Sequence, residues 1–279
     1  MNPHIKILIL NWNGIGVLED CLKSLFNIKY DNFSICVIDN NSKDQSVDYI
    51  VNNFNDVEII KHNYNYGYSK GYNIVFEKLS KQSEIDYYLL LNNDTKISDP
   101  NILNVIIDST KKYGENNIYS PIITDSNNRI WYGGGKINKV FGYTKHVGIN
   151  NKSIYGKYKT KKTNYISGCC MLINKSLIDR LNGFNTNFKM YYEDVDLCLR
   201  AKKYNSDCYV VDETHIIHNY SSSFKGIFKI KKIIMKFNSM NKFIFTNNNF
   251  IISSLVFIFH LMMLPLYLIL YLLKTLNRI

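Results

Sequence analysis

Three carboxylates lie within four positions of one another in the stretch KMYYEDVDLCLRA, residues 189–201. Glu193 and Asp194 are adjacent, and they directly follow Tyr191 and Tyr192 in a segment that is otherwise aromatic and aliphatic. Because an ionised acid is costly to remove from water, acids beside bulky apolar residues indicate a functional requirement. Carboxylates in such surroundings are suited to proton transfer, so this stretch is the first candidate for catalysis.

Polar turns follow four short apolar segments in the first hundred residues. NWNG follows IKILIL, DNNS follows FSICVI, HNYNYGYSKGYN follows VEIIK, and NNDT follows DYYLLL. Asn, Asp and Gly form turns readily, so one such turn alone carries little meaning. Four of them after successive strands of one sheet indicate a binding edge, because ligands of parallel sheets bind beyond the carboxyl ends of the strands.

The elements that carry these turns predict an α/β fold. Continuous apolar strands alternate with helical patterns near residues 16–27, 45–53, 69–80 and 100–113. This alternation is typical of a mainly parallel central sheet with helices on both faces. Further along, YISGCCMLI predicts a buried strand, residues 174–181 predict a short helix, and another helix is expected to begin near Glu193.

Residues 133–162 form a long lysine-rich segment, which we interpret as a loop or a short hairpin. A solvated surface segment is the simpler interpretation. The alternative is a mobile wall of a site for an anionic acceptor, since loops often carry binding residues.

Length and composition are those of a globular protein. The 279 residues suit one large domain or a domain with an appendage, and a hydrophobic content of 46% argues against wholesale disorder. The six cysteines form no CxxC pair and lie mostly in apolar segments, so we expect reduced core residues and a cytosolic compartment. The first apolar segment is too short for a secretory signal.

The positive charge is concentrated near the end of the chain. The formal net charge is +11, and after the last acid, Glu213, there follow eight basic residues: Lys225, Lys229, Lys231, Lys232, Lys236, Lys242, Lys274 and Arg278. A nucleic-acid binder can show such a tail. Here the basic stretch precedes the apolar segment FIISSLVFIFHLMMLPLYLILYLL. Basic residues beside such a segment predict that the partner is an anionic membrane surface and that the chain does not bind nucleic acid.

The tail therefore predicts membrane association at the cytoplasmic face. Residues 224–237 have lysines at steps of four, three and four, which favours a basic amphipathic helix on a membrane; the alternative is a solvated face packed on the domain. As a helix, residues 250–273 are long enough to cross a bilayer. Ser253, Ser254, His260 and Pro265 weaken the case for an ordinary span, so spanning and in-plane insertion both remain open. Basic residues flank both ends, so the distribution of charge does not settle the orientation.

The ordered set of motifs resembles a known family. ILNWNG, VIDNNSKDQS, NYGYSKGYN, LLLNNDT, SGCCMLI, GFNTNFKMYYEDVDLCLR and IIHNYSSS are similar to the inverting nucleotide-sugar glycosyltransferases of family 2, in their rhamnosyltransferase-like branch. Each motif alone is weak, but the order is specific. The resemblance covers about residues 5–223. It implies a GT-A catalytic domain over residues 1–223, followed by a membrane-associated segment over residues 224–279.

The resemblance also implies a chemistry. Such enzymes move a sugar, here rhamnose or another hexose, from a nucleotide diphosphate to a hydroxyl of a saccharide or a lipid-linked glycan, usually with Mg²⁺ or Mn²⁺. By matching position, Asp194 is the catalytic base, and Glu193 helps to set its orientation or charge. Asp94 and His218 match the metal-binding residues, with His215 excluded.

Eight further positions match the nucleotide-sugar site of the family. Asp39 matches the carboxylate that accepts from a pyrimidine N–H. The other seven are Asn11 and Trp12 beside the base, Asn65, Gly67 and Asn73 beside the ribose and diphosphate, and Asn92 and Asn93 next to the metal position. The chain departs from the family at Asn93, where most relatives have proline, and at Asn185, where they have aspartate.

Several alternatives stay open at this point. A polyprenyl-phosphate glycosyltransferase would carry a more acidic metal motif than LNNDT, and an inactive membrane scaffold would not need to keep the four matching site residues. Asp196 and Arg200 are spaced as an ion pair on a helix surface. For Tyr191 and Tyr192, core packing is favoured over contact with a sugar ring.

Overall fold

The structure is a computed structural model that describes residues 2–152, 160–219 and 227–276, with the side-chain surroundings of 227–230 and 264–276 left aside. The first half is built as the sequence predicts. Four parallel strands pair in the order β4-β1-β2-β3. They are β1 (Ile5–Asn11), β2 (Phe33–Asp39), β3 (Val57–Lys61) and β4 (Tyr87–Asn92).

Helices connect these strands. They are α1 (Ile15–Leu25), α2 (Ser46–Asn53) and α3 (Gly67–Leu79). In α1 the buried residues Leu18, Cys21, Leu22 and Leu25 recur at helical spacing, which fixes the face that packs on the core. All six cysteines are buried and free, as expected from their apolar neighbours.

The second half turns the sheet into a mixed one. Its elements are β5 (Thr95–Ile97), α4 (Ile102–Tyr113), β6 (Ile118–Thr124), β7 (Ile130–Tyr132), β8 (Gly135–Ile137), β9 (Thr144–His146), β10 (Lys161–Thr163), β11 (Cys170–Asn174), α5 (Lys175–Leu181), α6 (Glu193–Ala201) and β12 (Cys208–His218). Strand β11 lies antiparallel between β4 and β6, while β12 runs parallel to β6. The sheet is therefore less uniformly parallel than predicted.

The lysine-rich segment contains a hairpin. Strands β8 and β9 pair antiparallel as a separate two-stranded sheet, and β10 joins the edge of the main sheet beside β12. The part of the segment from 153 to 159, which includes Lys157 and Lys159, lies outside the described residues. The hairpin alternative is thus confirmed for residues 135–146, and the acceptor-wall interpretation stays a prediction.

The predicted ion pair between Asp196 and Arg200 is present, but its predicted position on the helix surface is wrong for Asp196. Arg200 Nε lies 2.7 Å from Asp196 Oδ2, but the Asp196 side chain is only 5% exposed. The guanidinium also donates to the carbonyls of Leu181 and Gly183, at 2.8 Å each. The pair therefore fastens α6 to the end of α5, because the acid lies where the helices meet and not on the outer face.

Two helices complete the described chain, α7 (Ile227–Asn247) and α8 (Phe250–Leu276). The second half of α7 packs on the catalytic domain through the buried residues Ser239, Phe243 and Ile244. These residues lie beyond the predicted basic helix of residues 224–237, so the choice between a membrane surface and packing on the domain stays a prediction for that stretch, of which residues 224–226 lie outside the described residues. Within the described part of the chain, no helix combines the length and apolar character needed to cross a bilayer.

Candidate active site

The polar turns meet at one edge of the sheet because the strand register aligns their starting points. Asn11 is paired with Asp39 across β1 and β2, and Leu10 is paired with Asn92 across β1 and β4. The backbone N–H of Asn40 donates to the carbonyl of Asn11 at 2.8 Å. Paired residues that are 28 and 82 positions apart in the sequence thereby share one surface.

Asp39 presents an unused acceptor at this edge. Its side chain is buried, and Oδ2 accepts a hydrogen bond from the backbone N–H of Ser42 at 3.1 Å. Oδ1 is also buried but accepts no hydrogen bond. Buried acceptors in native proteins are nearly always satisfied, so an N–H donor of a ligand is a chemically suitable partner.

Asn40 fastens the second turn to the third. Its Nδ2 donates to Asn65 Oδ1 at 3.1 Å and to the carbonyl of Gly67 at 3.2 Å, and its Oδ1 accepts from the N–H of Tyr66 at 3.0 Å. Gly67 has φ +74°, a left-handed conformation that other residues rarely adopt, and the carbonyl oxygen of Lys189 would lie 3.3 Å from a Cβ there. Asn40 was missed from the sequence, although it stands inside the DNNS motif.

Asn11 and Asn93 form a second fastening. Asn93 Nδ2 donates to Asn11 Oδ1 at 2.7 Å, and Asn11 Nδ2 donates to Ser42 Oγ at 3.3 Å. A Cβ at Gly14 would overlap both amide groups, so glycine is required there. The asparagine that replaces the proline of most relatives is therefore used to hold this loop by a hydrogen bond.

Three other residues predicted to bind the nucleotide sugar differ in the exposure and hydrogen bonding of their side chains. Trp12 is 55% exposed, so its indole face is accessible at the edge. Asn92 is held by its backbone, through N–H to the Cys169 carbonyl at 2.9 Å, and its side chain is half-buried. Asn73 forms two 2.8 Å hydrogen bonds with the backbone of Phe184, so its visible role is to hold the GFN turn.

Asp94 and His218 face each other, as the metal prediction requires. Asp94 Oδ1 lies 3.1 Å from His218 Nε2, and the N–H of Asn219 donates to the Asp94 carbonyl at 2.8 Å. The His218 ring packs edge-on against Trp131, with centroids 4.6 Å apart. His215, the excluded neighbour, has its Nε2 3.2 Å from Ser98 Oγ.

These two residues fit a divalent cation that is shared with a diphosphate. Asp94 Oδ1 is buried and accepts no hydrogen bond of good geometry, so an acceptor is available beside the imidazole. Among the described residues, no cluster of three or more His, Cys, Asp or Glu side chains could hold a metal. Mg²⁺ sites commonly use one or two protein ligands and take the rest from phosphate and water.

The acidic pair begins α6, as predicted, and Gly168 holds its second member. The N–H of Gly168 donates to Asp194 Oδ2 at 3.0 Å, and the N–H of Val195 donates to Oδ1 at 2.8 Å. The carbonyl of Gly168 accepts from the hydroxyl of Tyr68 at 2.7 Å, and a Cβ at this glycine would lie 2.6 Å from that hydroxyl. Tyr68 and Gly168 were missed as site residues, although both lie in motifs quoted above.

The surroundings favour the protonated forms of both acids. Burial raises the pKa of Asp194, while the two backbone N–H groups act in the opposite direction. Burial, followed by the charge of Asp194, raises the pKa of Glu193 well above its usual range, and Glu193 Oε2 has no hydrogen-bond partner. A base whose pKa is moved toward neutrality is better matched to proton transfer near pH 7.

The charges of Asp94 and Asp194 both raise the pKa of the Cys169 thiol. Burial, then the charge of Asp94, and more weakly that of Asp194, raise the pKa of Cys169 well above its usual range. Cys169 follows Gly168, and its carbonyl accepts from the N–H of Asn92 at the end of β4. The charges of the candidate base and of the candidate metal ligand are therefore both felt by this thiol.

The chain is similar to known glycosyltransferases in sequence. A model described as "Glycosyl transferase family 2" matches residues 6–181. The low-salt glycan biosynthesis hexosyltransferase Agl10 of Haloferax volcanii is 25% identical over 226 residues, which cover 77% of this chain and 68% of that protein. The N-acetylglucosaminyl-diphospho-decaprenol L-rhamnosyltransferase of Mycobacterium tuberculosis is 20% identical over 240 residues, 80% of this chain and 78% of the relative.

A solved structure shares the fold. The crystal structure of GalNAc-T7 with UDP, GalNAc and Mn²⁺ aligns with a TM-score of 0.65 at 13% identity. The alignment covers 79% of this chain but spans only 44% of the GalNAc-T7 chain. The α/β fold expected from the resemblance is thereby confirmed.

Replacing Glu193 with glutamine is expected to stabilise the protein in a pH-dependent way. Because the folded protein holds the Glu193 proton more tightly than the unfolded chain, the wild type loses stability as pH rises from the ordinary carboxyl pKa toward the raised one. Glu193→Gln lacks that loss. Its advantage should be near zero at the acid end and grow by about 1.4 kcal/mol per pH unit across the window.

Urea denaturation at a series of pH values measures this difference. Glu77→Gln, on the exposed side of α3, is the control and should follow the wild type. If Glu193→Gln and the wild type show parallel stability curves, burial does not raise the pKa of Glu193 as described.

Proposed function

The chain belongs to glycosyl transferase family 2, in its rhamnosyltransferase-like branch, and from this premise we propose that it is a metal-assisted inverting hexosyltransferase. The donor is a nucleotide diphosphate sugar, with rhamnose or another hexose. The observation that carries the proposal is that the segment Gly168–Cys169 holds the candidate base Asp194 through the Gly168 N–H and is itself hydrogen-bonded to Asn92, two residues before the candidate metal ligand Asp94.

Asp194 is the group that accepts the proton of the acceptor hydroxyl. Its raised pKa keeps it basic enough to take that proton as the oxygen attacks the anomeric carbon, and the two N–H donors fix the carboxylate orientation. The pKa of Asp194 depends on whether Glu193 is ionised or protonated, because the two adjacent carboxyl groups interact. A single base on the face opposite the leaving group gives inversion.

The donor is held at the strand ends. Asp39 Oδ1, which has no partner of its own, accepts from the base of the nucleotide, and the exposed face of Trp12 supports the ring. Asn40, Asn65 and Gly67 shape the turn beside the ribose and diphosphate through the hydrogen bonds among them. Their contribution is to hold the backbone in one geometry before the donor arrives.

Asp94 and His218 would hold Mg²⁺ or Mn²⁺ at the diphosphate. A divalent cation in this position offsets the negative charge that accumulates on the departing nucleotide. The protein supplies a carboxylate and an imidazole 3.1 Å apart, and the Trp131 ring against His218 restricts the orientation of the imidazole.

The acceptor is a saccharide or a lipid-linked glycan, presented at the cytoplasmic face of a membrane. The first half of α8 supports this localisation, because its buried side carries Ser253, Val256 and His260. Its opposite side is exposed and apolar, with Ile251, Leu255, Ile258 and Met262 at steps of four, three and four. The apolar face matches the hydrocarbon boundary of a bilayer. No acid follows Glu213 in the sequence, so the basic residues of this segment complement an anionic bilayer surface.

Asp194→Asn is the direct test of the transfer mechanism. A donor is first identified by thermal shift against a panel of nucleotide sugars, and transfer is then measured with that donor. We expect the variant to lose roughly 10²- to 10⁴-fold in turnover because it cannot take the proton, while donor affinity is retained. Asp108→Asn, on the exposed face of α4, is the control; turnover near the wild-type value in Asp194→Asn would refute the base assignment.

The two histidines of β12 provide a matched test of the metal site. In His218→Ala and Asp94→Ala, Mn²⁺ should no longer strengthen nucleotide binding, since each removes one of the two facing ligands. In His215→Ala the strengthening should persist. Calorimetric titration of nucleotide with and without Mn²⁺ measures it, and an undiminished Mn²⁺ effect in the first two variants would exclude this site.

The exposed face of α8 is tested with vesicles. Leu255→Glu should lower the fraction bound to vesicles containing anionic phosphatidylglycerol by about 10-fold, because a charge replaces apolar burial. Val51→Glu, at an exposed apolar position of α2, is the matched control and should bind like the wild type. A change in oligomeric state with unchanged vesicle binding would assign the face to a second copy of the chain and contradict the membrane proposal.

A further inference from the structure

The two residues before the acidic pair have an unusual backbone. Tyr191 and Tyr192 have φ of 67° and 70°, so both are left-handed immediately before α6. This conformation is costly for bulky residues, and it persists only where surrounding contacts enforce it. The source of those contacts therefore decides where the first turn of α6 lies.

The contacts that hold this backbone come largely from α7. Ser239 Oγ donates to the carbonyl of Met190 at 2.8 Å, and Lys242 Nζ donates to the carbonyl of Asn187 at 3.1 Å. The fully buried Phe243 packs against the Tyr192 ring, with centroids 5.4 Å apart. Three residues spaced along one helix thus contact the segment that leads to Glu193.

The hairpin loop closes the other side of Tyr192. The Tyr192 hydroxyl donates to the carbonyl of Gly142 at 2.7 Å. Gly142 itself lies under α7, because a Cβ there would be 2.9 Å from Ile244 and 3.0 Å from Met240. Tyr192 is consequently enclosed by α7 and by a loop that α7 also contacts.

We propose that α7 is a positioning element of the active site, which holds Tyr191 and Tyr192 in the left-handed conformation and thereby sets the location of Asp194. The proposal rests on the proposed function in that Asp194 is taken as the base. Phe243 and Ser239 are positioning residues: they touch neither donor nor acceptor, and they act through the backbone of residues 190–192.

The link to the carboxylate is short. The N–H of Asp196 donates to the carbonyl of Tyr192 at 2.8 Å, which begins the hydrogen bonding of α6, and Asp194 lies between these residues. If the tyrosines relax to ordinary backbone angles, the first turn of α6 reorients and the Asp194–Gly168 hydrogen bond is lost. We expect donor binding through Asp39 and Trp12 to be retained, because these residues lie at or just beyond the ends of β2 and β1.

Phe243→Ala tests the proposal against Phe245→Ala, two residues away on the same helix. Phe245 is 43% exposed and packs toward Phe250 and Phe257 of α8. We expect Phe243→Ala to lower kcat by about 10²-fold with donor KM nearly unchanged, since a misplaced base affects chemistry and not binding. Phe245→Ala should keep kcat. Ser239→Ala, a milder change, should lower kcat about 10-fold if Phe243→Ala does not fold.

A rescue experiment separates backbone strain from general loss of packing. Glycine adopts the left-handed conformation without the penalty that alanine retains. In the Ser239→Ala background, Tyr191→Gly should therefore restore kcat relative to Tyr191→Ala, although both remove the same ring. Equal kcat for the two double variants, or wild-type kcat in Phe243→Ala and Ser239→Ala, would overturn the proposal.

Hydrogen exchange distinguishes failure of this inference from failure of the proposed function. Whether or not transfer is detected, the amides of residues 190–196 should exchange faster in Ser239→Ala and Phe243→Ala than in the wild type and Phe245→Ala. Unchanged protection in both variants would refute the positioning role by itself. Faster exchange with no transfer by the wild type would refute the proposed function and leave the structural role of α7 in place.

Discussion

The site depends on the two hydrogen bonds made by the backbone N–H and carbonyl of Gly168. Its N–H fixes Asp194, its carbonyl is fixed by the hydroxyl of Tyr68, and the next residue, Cys169, is hydrogen-bonded to the end of β4. Since α3, α6 and the central sheet all meet at this residue, the candidate base Asp194 is fixed relative to the strand ends where we propose that the donor binds. The absence of a side chain at Gly168 makes this possible, because a Cβ would occupy the space of the tyrosine hydroxyl.

The same arrangement buries two adjacent acids, which disfavours their ionised forms. Glu193 and Asp194 are adjacent acids with raised pKa values, and burial is the main cause in both. A protein gains no stability from such a pair, because ionised carboxylates without full compensation oppose folding. Their position at the start of α6 offsets part of this cost through the partial positive charge of the helix N-terminus. Chemistry, and not folding, is the physical reason for these acids.

Much of the framework follows from the sequence. The apolar segments and their polar turns predicted the four parallel strands and the shared edge, and Glu193 was correctly expected to begin a helix. Asn40 and Tyr68 were missed because their importance lies in contacts between loops that are distant in sequence. The depth of Asp196 was also missed, because i, i+4 spacing predicts a pair but says nothing of what covers it. The left-handed tyrosines have no signal in residue type, since tyrosine rarely adopts that conformation.

The packing of α7 also bears on how the chain can be divided. The motifs end near residue 223, which makes that position an attractive place to cut when a tail-free enzyme is wanted for crystallisation or assay. A fragment ending there would retain every residue that matches the family, yet it would lack the aromatic partner of Tyr192 and the hydroxyl that anchors Met190. If α7 positions Asp194 as we propose, such a fragment would be inactive without lacking any of the matching residues. A preparation that retains α7 is accordingly the appropriate starting material for an assay.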